Sequence, residues 1–416
     1  MKKPSILIIG AGITGLTAAF FAMKRIPGAQ ITILEADHRV GGRVLTIDKI
    51  ELGGETIYCT PDADEMFSAL KLDKIPGLTG DRELMGNGDP ISLIPTLAMM
   101  QEVPEVNESL CQFLERVRNF SAKDIIRSSL SSIFFAYDAE QLSADFAKFR
   151  MIGAGRLLKN EFPWVKPEEG MEEFAIKMAE YLQLPEKGGK IILGCKVQAI
   201  QVEDDKVTVQ TDTHENFTAD FIIVTAPPAA VINNHINIEP ELPKDLINAF
   251  DHIKMANLGK LLIKLEKPKD IKMRIIFYPE DNSLVNQMVV YPGLEYALVA
   301  INFSIINKFT QNEFEELIKK AIGNFVGNFE IIHTALWDGS HPSGGGYPLV
   351  LPEKSKDGMR VQEIQNVIDR YNQQSKAIFF AGDCVRLDYY GLQACVESAI
   401  TSVTQISNLI TIHAKP

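Results

Sequence analysis

Residues 5–15 read SILIIGAGITG, a run of β-branched and aliphatic residues that stops at a glycine turn. Such a continuous apolar run is typical of a strand that is buried on both faces of a parallel sheet. Residues 13–24 are rich in helix formers, and a second apolar run, Gln30–Leu34, ends at Glu35. Strand, glycine turn, helix, strand and acidic residue therefore follow one another as they do in a dinucleotide-binding fold.

The three glycines of the turn have separate roles in this interpretation. Gly10 permits the tight turn out of the strand, Gly12 has no Cβ to strike a pyrophosphate, and Gly15 lets helix and strand pack closely. The phosphates would lie at the positive N-terminal end of the helix. Ile13 and Thr14, the first residues of that helix, are therefore predicted to bind the cofactor together with the glycines.

Glu35 and the segment after it indicate which dinucleotide binds. The Glu35 carboxylate can accept hydrogen bonds from ribose hydroxyls, and its charge repels a 2′-phosphate, so NADP is disfavoured. Residues 36–43 read ADHRVGGR, a second glycine pair followed by a basic residue. In FAD, the ribityl chain and flavin extend across the protein beyond the adenosine. A second glycine pair that lets the backbone approach the cofactor closely, followed by an arginine with its positive charge, therefore suits FAD. The binding residues predicted here are Ala36, Arg39, Gly41, Gly42 and Arg43.

Length and charge exclude several classes of function. The chain has 416 residues, which predicts two to three domains. It carries 42 basic against 54 acidic residues, a formal charge of −12, which opposes nucleic acid or an anionic lipid surface as a general partner. The five cysteines include no CxxC pair, so neither a disulfide framework nor a zinc site is indicated, and no metal is expected. A reducing, cytoplasmic location fits this pattern best.

The apolar N-terminal segment has a second interpretation. Residues 1–23 begin with two lysines and continue into an uncharged stretch, as in a signal peptide or a marginal membrane span. The succession of strand, glycines and helix inside this segment favours the dinucleotide fold instead. We therefore expect no transmembrane segment, although a peripheral membrane contact stays open.

The motifs GAGITGLTAAF and LEADHRVGGR resemble the opening of the flavin amine oxidase superfamily, which includes protoporphyrinogen oxidases and carotenoid-type desaturases. Three strand-like segments resemble the stretch by which this superfamily returns to its FAD domain: Gly188–Val197, Val207–Thr211 and Ala219–Pro227. The resemblance implies that Val197 contacts the adenine through its backbone.

The C-terminal region extends the resemblance. The run Ala377–Asp383 reads as a buried strand ending in Gly-Asp, and Gly391–Ile406 reads as a helix. The resemblance implies that Gly382 and Asp383 hold the ribityl or pyrophosphate region. It also implies that the N-terminus of the helix, near Gly391, Leu392 and Gln393, faces the flavin pyrimidine, where a positive helix end would stabilise the anionic reduced flavin.

The predicted fold class is α/β. We expect a Rossmann-like FAD-binding domain assembled from the discontinuous segments 1–78, 188–235 and 375–416, and an α+β substrate domain formed by 79–187 and 236–374. Helical spacing of apolar residues marks three segments of the substrate domain: Leu110–Val117, Ala122–Phe135 and Ala139–Met151. Its predicted strands are Leu258–Leu265, Leu284–Tyr291 and Tyr296–Phe303, followed by a helix near Asn312–Gly323.

The chemistry expected of such a protein is hydride transfer from an organic donor to the flavin. The sequence contains no second nucleotide fingerprint, so electrons would come from a small-molecule substrate rather than from NAD(P)H. They would pass to oxygen, a quinone or a partner protein. The flavin supplies the difficult electronics, and protein groups need only bind, orient and desolvate the donor.

A loop before the last FAD segment supplies candidate catalytic residues. The run SGGGY at 343–347 resembles an amine oxidase pattern in which a cysteine after two glycines bonds to the flavin and the next tyrosine forms half of an aromatic cage. Gly346 occupies the cysteine position, so FAD is predicted to be non-covalent. Tyr347 and Trp337 are predicted pocket walls. Lys272 is the candidate, by order along the chain, for the lysine that positions water near the flavin in amine oxidases.

Three functions remain open from sequence alone. Removal of hydride at a carbon–nitrogen bond, as in amine oxidases, is favoured. A protoporphyrinogen oxidase-like or isoprenoid desaturase-like enzyme would act on a larger apolar substrate. This second function draws support from Gly391, which occupies the other cage position and leaves an aromatic pair to Tyr390 or another residue. A non-catalytic FAD-binding module is the third.

Overall fold

The structure, a computed structural model, describes residues 3–77, 85–86, 89–90, 102–116, 142–150, 162–203, 206–233, 235–268, 273–276, 285–291, 293–302, 310–339, 341–351, 359–389 and 391–413. The chain divides into two compact units. The first comprises Met1–Gly77, Gly153–Ile253 and Met359–Pro416, and the second comprises Leu78–Ile152 and Lys254–Gly358.

The helices and strands are listed in chain order. The strands are β1 (Ser5–Ile9), β2 (Gln30–Leu34), β3 (Thr46–Ile47), β4 (Ile50–Glu51), β5 (Ile57–Tyr58), β6 (Lys74–Pro76), β7 (Met85–Gly86), β8 (Asp89–Pro90), β9 (Trp164–Pro167), β10 (Lys190–Ile192), β11 (Val197–Glu203), β12 (Lys206–Thr211), β13 (Asn216–Ala219), β14 (Phe221–Val224), β15 (Asn237–Glu239), β16 (Ile253–Ala256), β17 (Leu258–Leu265), β18 (Met273–Ile276), β19 (Val285–Val290), β20 (Tyr296–Asn302), β21 (Phe329–Trp337), β22 (Tyr347–Val350) and β23 (Ile378–Phe380). The helices are α1 (Ile13–Arg25), α2 (Pro61–Leu70), α3 (Leu110–Arg116), α4 (Met171–Leu182), α5 (Pro228–Ile232), α6 (Lys244–Asp251), α7 (Gln311–Val326), α8 (Val361–Gln374) and α9 (Gly391–His413).

The first unit is built on a five-stranded parallel sheet in the order β10-β2-β1-β14-β23. The apolar runs of β1 and β2 start and end at the predicted residues. Helix α1 follows β1 directly, and both its Phe20 and Phe21 are buried in a core that also contains residues of α4 and α9. The α/β class and the Rossmann-like arrangement expected from the sequence are thereby confirmed.

Three smaller sheets of the described residues complete the first unit. One has the order β13-β12-β11-β15, the second pairs β5 and β6 with β9, and the third pairs β3 with β4. Helix α2 begins at the N-cap Thr60, whose side chain accepts from the Ala63 N–H, and ends at Lys71 in the left-handed region. The third predicted segment of this unit, Ala219–Pro227, contains β14 next to β1.

The second unit contains a five-stranded antiparallel sheet in the order β18-β19-β20-β17-β21. Leu261 and Ile263 of β17 pack with Ile318 and Ile322 of α7 to form its core. Helix α7 begins with a capping box between Thr310 and Glu313. Strand β17 begins and ends at the predicted residues. The ends of β19, β20 and α7 differ from the predicted ends by at most three residues. The predicted helix Ala122–Phe135 lies outside the described residues.

The predicted domain boundaries differ from the two units. Residues 236–253 and 359–374, which the sequence assigned to the substrate domain, belong to the first unit. The reason is aromatic packing: Phe250 of α6 and Tyr371 of α8 both contact Phe380 of β23, with ring centroids 5.0 and 5.6 Å apart. Strand β9 and helix α4 also belong to the first unit, since β9 pairs with β5. The roles of the two units stay predictions.

The described residues contain neither a membrane-spanning helix nor a cluster of metal ligands. No helix there is long and apolar enough to cross a bilayer. No group of three or more His, Cys, Asp or Glu residues in the same part of the chain could hold a metal ion.

Candidate functional site

The carboxyl ends of the parallel strands of the first unit form one edge of the sheet, here called the crevice after the place where α/β sheets bind ligands. Glu35 follows β2, Gly10 follows β1, Thr225 follows β14, and Gly382 follows β23 within two residues. These four strands are neighbours in the sheet, so Glu35 and Gly382 are separated by three strand spacings, about 14 Å. Ligands of open α/β sheets bind at this edge, and an extended dinucleotide would span it.

The first glycine turn packs helix α1 against β1. A Cβ built on Gly15 would lie 1.9 Å from the Gly10 carbonyl oxygen, so only glycine fits there. Gly10 itself has φ +101°, and a Cβ there would meet Thr225 Oγ1 at 2.4 Å. The Thr225 hydroxyl donates to the Ile9 carbonyl at 2.6 Å. Sheet, turn and helix are therefore in direct backbone contact, and α1 starts at a fixed position above the sheet.

The second glycine pair lies on the first turn. The Gly41 N–H donates to the Ala11 carbonyl at 2.9 Å, and Gly12 and Gly41 form an isolated parallel bridge. A Cβ on Gly12 would lie 3.9 Å from Gly42 Cα, an ordinary van der Waals distance, so the two glycine turns pack directly on each other. Helix α1 has neither a side-chain cap nor an acidic residue in its first turn. Its free N–H groups and positive end are therefore suited to an anionic group.

Glu35 is buried and held by two backbone amides. The Ala11 N–H donates to Glu35 Oε2 at 2.5 Å, and the Asp37 N–H donates to Oε1 at 2.8 Å. Burial raises the pKa of Glu35 above its ordinary value, against the effect of these two hydrogen bonds. A carboxylate has about four acceptor positions, so it can still accept two further hydrogen bonds from a ligand. Ala36, the next residue, is exposed at the surface of the turn.

The two predicted arginines have different surroundings. Arg39 braces its own turn, since its Nη1 donates to the Val44 carbonyl at 3.0 Å and its Nη2 to the Gly42 carbonyl at 2.5 Å. Arg43 forms a two-point ion pair with Asp383: Nη1 and Nη2 lie 2.7 and 2.5 Å from the two carboxylate oxygens. The side chain of Asp383 is 5% exposed. This pair joins the second glycine turn to the turn after β23.

Helix α9 is fastened to the turn after β23. The Gly382 N–H donates to Ser398 Oγ at 2.8 Å, and a Cβ on Gly382 would meet nothing closer than 3.9 Å. Burial raises the pKa of the Cys395 thiol in this helix to about 11, so it stays a thiol at neutral pH. Gly391 opens the helix with φ +56° and has open space beside it.

Val197 lies next to the Glu35 turn. The Cys195 N–H, two residues earlier, donates to the Glu35 carbonyl at 2.7 Å. Val197 pairs with Thr211 of β12, whereas the pairing of β11 with β15 begins only at Ala199. Val197 thus follows, two residues later, the residue whose backbone contacts Glu35, and its contact with the adenine stays a prediction.

A third segment of the crevice was not found from the sequence. The Gly54 N–H donates to the Arg43 carbonyl at 2.9 Å, and a Cβ on Gly54 would lie 2.9 Å from the side chain of Leu392. Glu55 follows, and its Oε1 is buried without a hydrogen-bond partner among the described residues. Gln393 Oε1 is likewise buried and unpartnered within that part of the chain. The glycine pair Gly53-Gly54 after a short strand was the available signal.

The predicted catalytic residues lie in the second unit. Trp337 is 3% exposed, pairs with Leu258 across the sheet, and packs edge-to-face on the His341 ring at 4.9 Å. Tyr347 begins β22 and is half-buried. The structure therefore brings Trp337 and the 341–347 loop together in this unit. Lys272 lies outside the described residues.

Lys260 is a buried lysine that sequence reasoning missed. It is 3% exposed in β17, and its cross-strand neighbours are Ala300 of β20 and Ala335 of β21. Two small neighbours leave room for its long side chain. Lysine is almost never this buried without a specific reason, which makes Lys260 a candidate functional residue. In the sequence it was hidden within an ordinary apolar run.

Two observations fit a dinucleotide at this sheet edge. Helix α1 has no side-chain cap at its N-terminus, and buried oxygens of Glu55 and Gln393 have no hydrogen-bond partner in the described part of the chain. An uncapped helix N-terminus and unpaired buried acceptors together indicate a ligand with both anionic and donor groups.

Comparisons with known proteins identify the family of the chain and its fold. The model of the family described as flavin containing amine oxidoreductase matches residues 87–407, and that of the NAD(P)-binding Rossmann-like domain matches residues 8–68. A corticosteroid-binding protein of Candida albicans is 24% identical over 74% of this chain and 71% of its own. Coproporphyrinogen III oxidase of Bacillus subtilis is 27% identical over 55% of this chain and 61% of its own. The structure of cyclohexylamine oxidase from Brevibacterium oxydans superimposes with a TM-score of 0.77 at 17% identity, covering 99% of this chain and 100% of that one.

Proposed function

The chain belongs to the flavin containing amine oxidoreductase family, and on that premise we propose that it is an FAD-dependent oxidoreductase that removes hydride from a carbon–nitrogen bond of a small organic donor. Bound FAD supplies the electron-accepting chemistry, as it does in this family. The residues of the chain bind the cofactor, orient the donor and exclude water. The electron acceptor is oxygen, a quinone or a partner protein.

The observation that carries the proposal is the crevice from Glu35 to Gly382. Glu35 would accept hydrogen bonds from the adenosine ribose, and the N-terminus of α1 would face the pyrophosphate. Arg43 and Asp383, which form an ion pair between the second glycine turn and the turn after β23, would contribute one charge of each sign to the binding of the cofactor. Gly382, in the turn after β23, would lie on the ribityl side.

The pH dependence of FAD binding tests the role of Glu35. Burial raises the pKa of Glu35, so protonation begins at a higher pH than for an ordinary carboxyl. As the pH falls through that pKa, we expect FAD affinity to fall about tenfold or more, because charge-assisted hydrogen bonds to the ribose are lost. Without FAD, the folding stability of the protein depends on pH in the opposite direction. Because the pKa of Glu35 is raised in the folded state, this residue contributes stability at low pH, and the contribution is lost as the pH rises through the raised pKa.

The measurement is the FAD dissociation constant by fluorescence between pH 4.5 and 8, in the original chain and in Glu35→Gln. The variant should bind more weakly at neutral pH and show a flatter profile. If the FAD dissociation constants of the original chain and of Glu35→Gln changed equally with pH, the role of Glu35 in binding the ribose would be contradicted.

The packing around Gly346 supports non-covalent FAD. A Cβ at this position would lie 2.9 Å from Leu258 Cβ and 3.4 Å from Trp337 Cβ, so the cysteine of the covalent pattern would not fit without movement of β17. We therefore expect denaturation and desalting of the holoprotein to leave the polypeptide colourless, with all flavin in the small-molecule fraction. Flavin absorbance that stays with the polypeptide would refute this.

We propose that Lys260, the buried lysine of β17 in the second unit, takes the part in turnover that the resemblance gave to a lysine. Strand β17 is paired on both sides, which fixes the backbone of Lys260. Lys264 lies in the same strand, but 48% of its side chain is accessible, so it is an exposed counterpart of Lys260.

Replacement of Lys260 should slow turnover. Lys260→Met keeps the length and apolar stem but removes the ammonium group, and we expect a loss of about 100-fold in flavin reduction or in its reoxidation by oxygen. Lys264→Met is the matched control and should leave both rates unchanged. Stopped-flow absorbance of the flavin measures each rate separately. If Lys260→Met and Lys264→Met had equal rates of flavin reduction and reoxidation at equal FAD content, Lys260 would have no role in turnover.

A protoporphyrinogen oxidase-like activity is a second candidate, and one observation favours it. Gly391 occupies the position of the second cage aromatic, and no atom of the described residues lies within 4 Å of where its Cβ would stand. An amine oxidase cage would need an aromatic side chain there. A donor larger than a simple amine would be accommodated instead, such as a porphyrinogen or an isoprenoid.

Anaerobic mixing with candidate donors tests the proposal. Amines, amino acids and porphyrinogens are added in turn to the oxidised holoprotein, and bleaching of the flavin band is recorded. Reduction by amines or amino acids supports the proposed function, and reduction by porphyrinogens alone selects the second candidate. If dithionite reduces the flavin but none of these donors does, the protein is a non-catalytic FAD-binding module.

A further inference from the structure

A buried oxygen without a partner lies in the first turn of α9. Gln393 is 1% exposed, and the described residues offer no hydrogen-bond partner to its Oε1. A buried acceptor that lacks a donor retains its desolvation penalty, and native structures seldom leave one unpaired without a ligand, ion or water. The position of Gln393 at the end of the crevice therefore indicates a bound group with a donor.

The orientation of the Gln393 amide is set by Glu397. Its Nε2 donates to Glu397 Oε1 at 2.7 Å, one helical turn further along α9. An ionised carboxylate can only accept, so the NH2 group faces Glu397 and the carbonyl oxygen faces away. The unpartnered atom is thus held as an acceptor.

The first turn of α9 lies at the flavin end of the crevice. Glu35, the predicted partner of the adenosine ribose, follows β2, whereas α9 is tied by Ser398 to Gly382 after β23, three strands away. Leu392, next to Gln393, contacts Gly54. A dinucleotide with its adenosine at Glu35 therefore presents its other end to this turn.

We propose that Gln393 Oε1 accepts a hydrogen bond from N3–H of the flavin pyrimidine ring, with Glu397 as the positioning residue; the inference rests on FAD being the cofactor of the proposed function. The ring system of oxidised flavin has a single N–H donor, at N3. A single buried acceptor with a fixed orientation matches that donor. The same acceptor is unsuited to a methyl group at N3.

The test compares FAD with N3-methyl-FAD, in which a methyl group replaces the N3 proton. Each cofactor is titrated into the deflavinated full chain, and binding is followed by flavin fluorescence. We expect N3-methyl-FAD to bind at least about tenfold more weakly than FAD, because a buried acceptor loses its donor. In Gln393→Met, which has similar volume without the oxygen, the ratio of the two affinities should approach one.

Two further variants separate this role from a general effect on the helix. Glu397→Gln should give an intermediate ratio, because an amide can donate to or accept from Gln393 and no longer fixes its orientation. Gln405→Met is the matched control: Gln405 Oε1 is also buried and unpartnered in the described structure, but it lies about three turns further along α9. In Gln405→Met, the ratio of the affinities for FAD and N3-methyl-FAD should equal the ratio in the original chain.

An unchanged ratio in Gln393→Met would overturn the inference, as would equal binding of the two cofactors by the original chain. A variant that weakens both cofactors equally would also overturn it, since the donor would then be a group other than N3–H. If the original chain binds neither cofactor, the proposed function itself fails.

Discussion

Gly15→Ala should abolish FAD binding and destabilise the first unit by about 4 kcal/mol, the upper end of single-residue effects. The new Cβ would lie 1.9 Å from the Gly10 carbonyl oxygen and 3.2 Å from Ile8 Cγ2. A backbone oxygen cannot rotate away as a side chain can, so α1 must move off β1. That movement displaces the helix N-terminus and Gly12 from the crevice together.

Gly323→Ala is the matched control for this substitution. Gly323 lies within α7, and a Cβ there would meet nothing within 4 Å. Alanine is the better helix former, so a gain of about 0.5–1 kcal/mol is expected. Unfolding in denaturant and the flavin content of the purified protein measure both effects. Retention of FAD by Gly15→Ala at original stability would show that the helix–strand contact does not position the cofactor.

Asp383→Ala should cost about 3–5 kcal/mol of unfolding free energy, because it removes one partner of a buried ion pair. Arg43 would keep its charge, and the side chain of Asp383 that neutralises it is only 5% exposed in the intact protein. The pair also links residues 340 positions apart in the chain, so the turn after β23 would lose its connection to the second glycine turn. FAD affinity should fall with it.

Asp245→Ala provides the comparison at the surface. Arg370 Nη2 and Asp245 Oδ2 are 2.8 Å apart, and both side chains are 55% exposed. An exposed pair is worth about 0–1 kcal/mol, since solvent screens it. Denaturant unfolding of the two variants should therefore differ by several kcal/mol. Similar losses for both would mean that the Arg43–Asp383 pair is energetically equivalent to a surface pair.

Local patterns predicted much of the fold. The strands β1, β2 and β17 were delimited exactly, because continuous apolar runs between glycine or polar residues depend only on neighbours in the chain. The start of α9 at Gly391 followed from the same kind of signal. Domain boundaries could not be derived in this way, because the attachment of α6 and α8 depends on ring packing against Phe380.

The candidate site was predicted less completely than the fold. The glycines and Glu35 lie in one motif, whereas the pairing of Arg43 with Asp383 joins distant segments that sequence treats separately. Lys260 and Lys264 are four residues apart and therefore lie on the same face of β17. Only the neighbours that cover each position in three dimensions bury the first and leave the second exposed. Gln393 was recognised as part of a helix end, but its unpaired oxygen is visible only in three dimensions.

Titration of the full, folded chain with FAD is the most direct test of the central claim, that the crevice from Glu35 to α9 holds this cofactor. Difference absorbance and fluorescence should show one FAD bound per chain, released completely on denaturation, with weaker binding by Glu35→Gln. A correctly folded protein that stays colourless and does not take up added FAD would contradict the account.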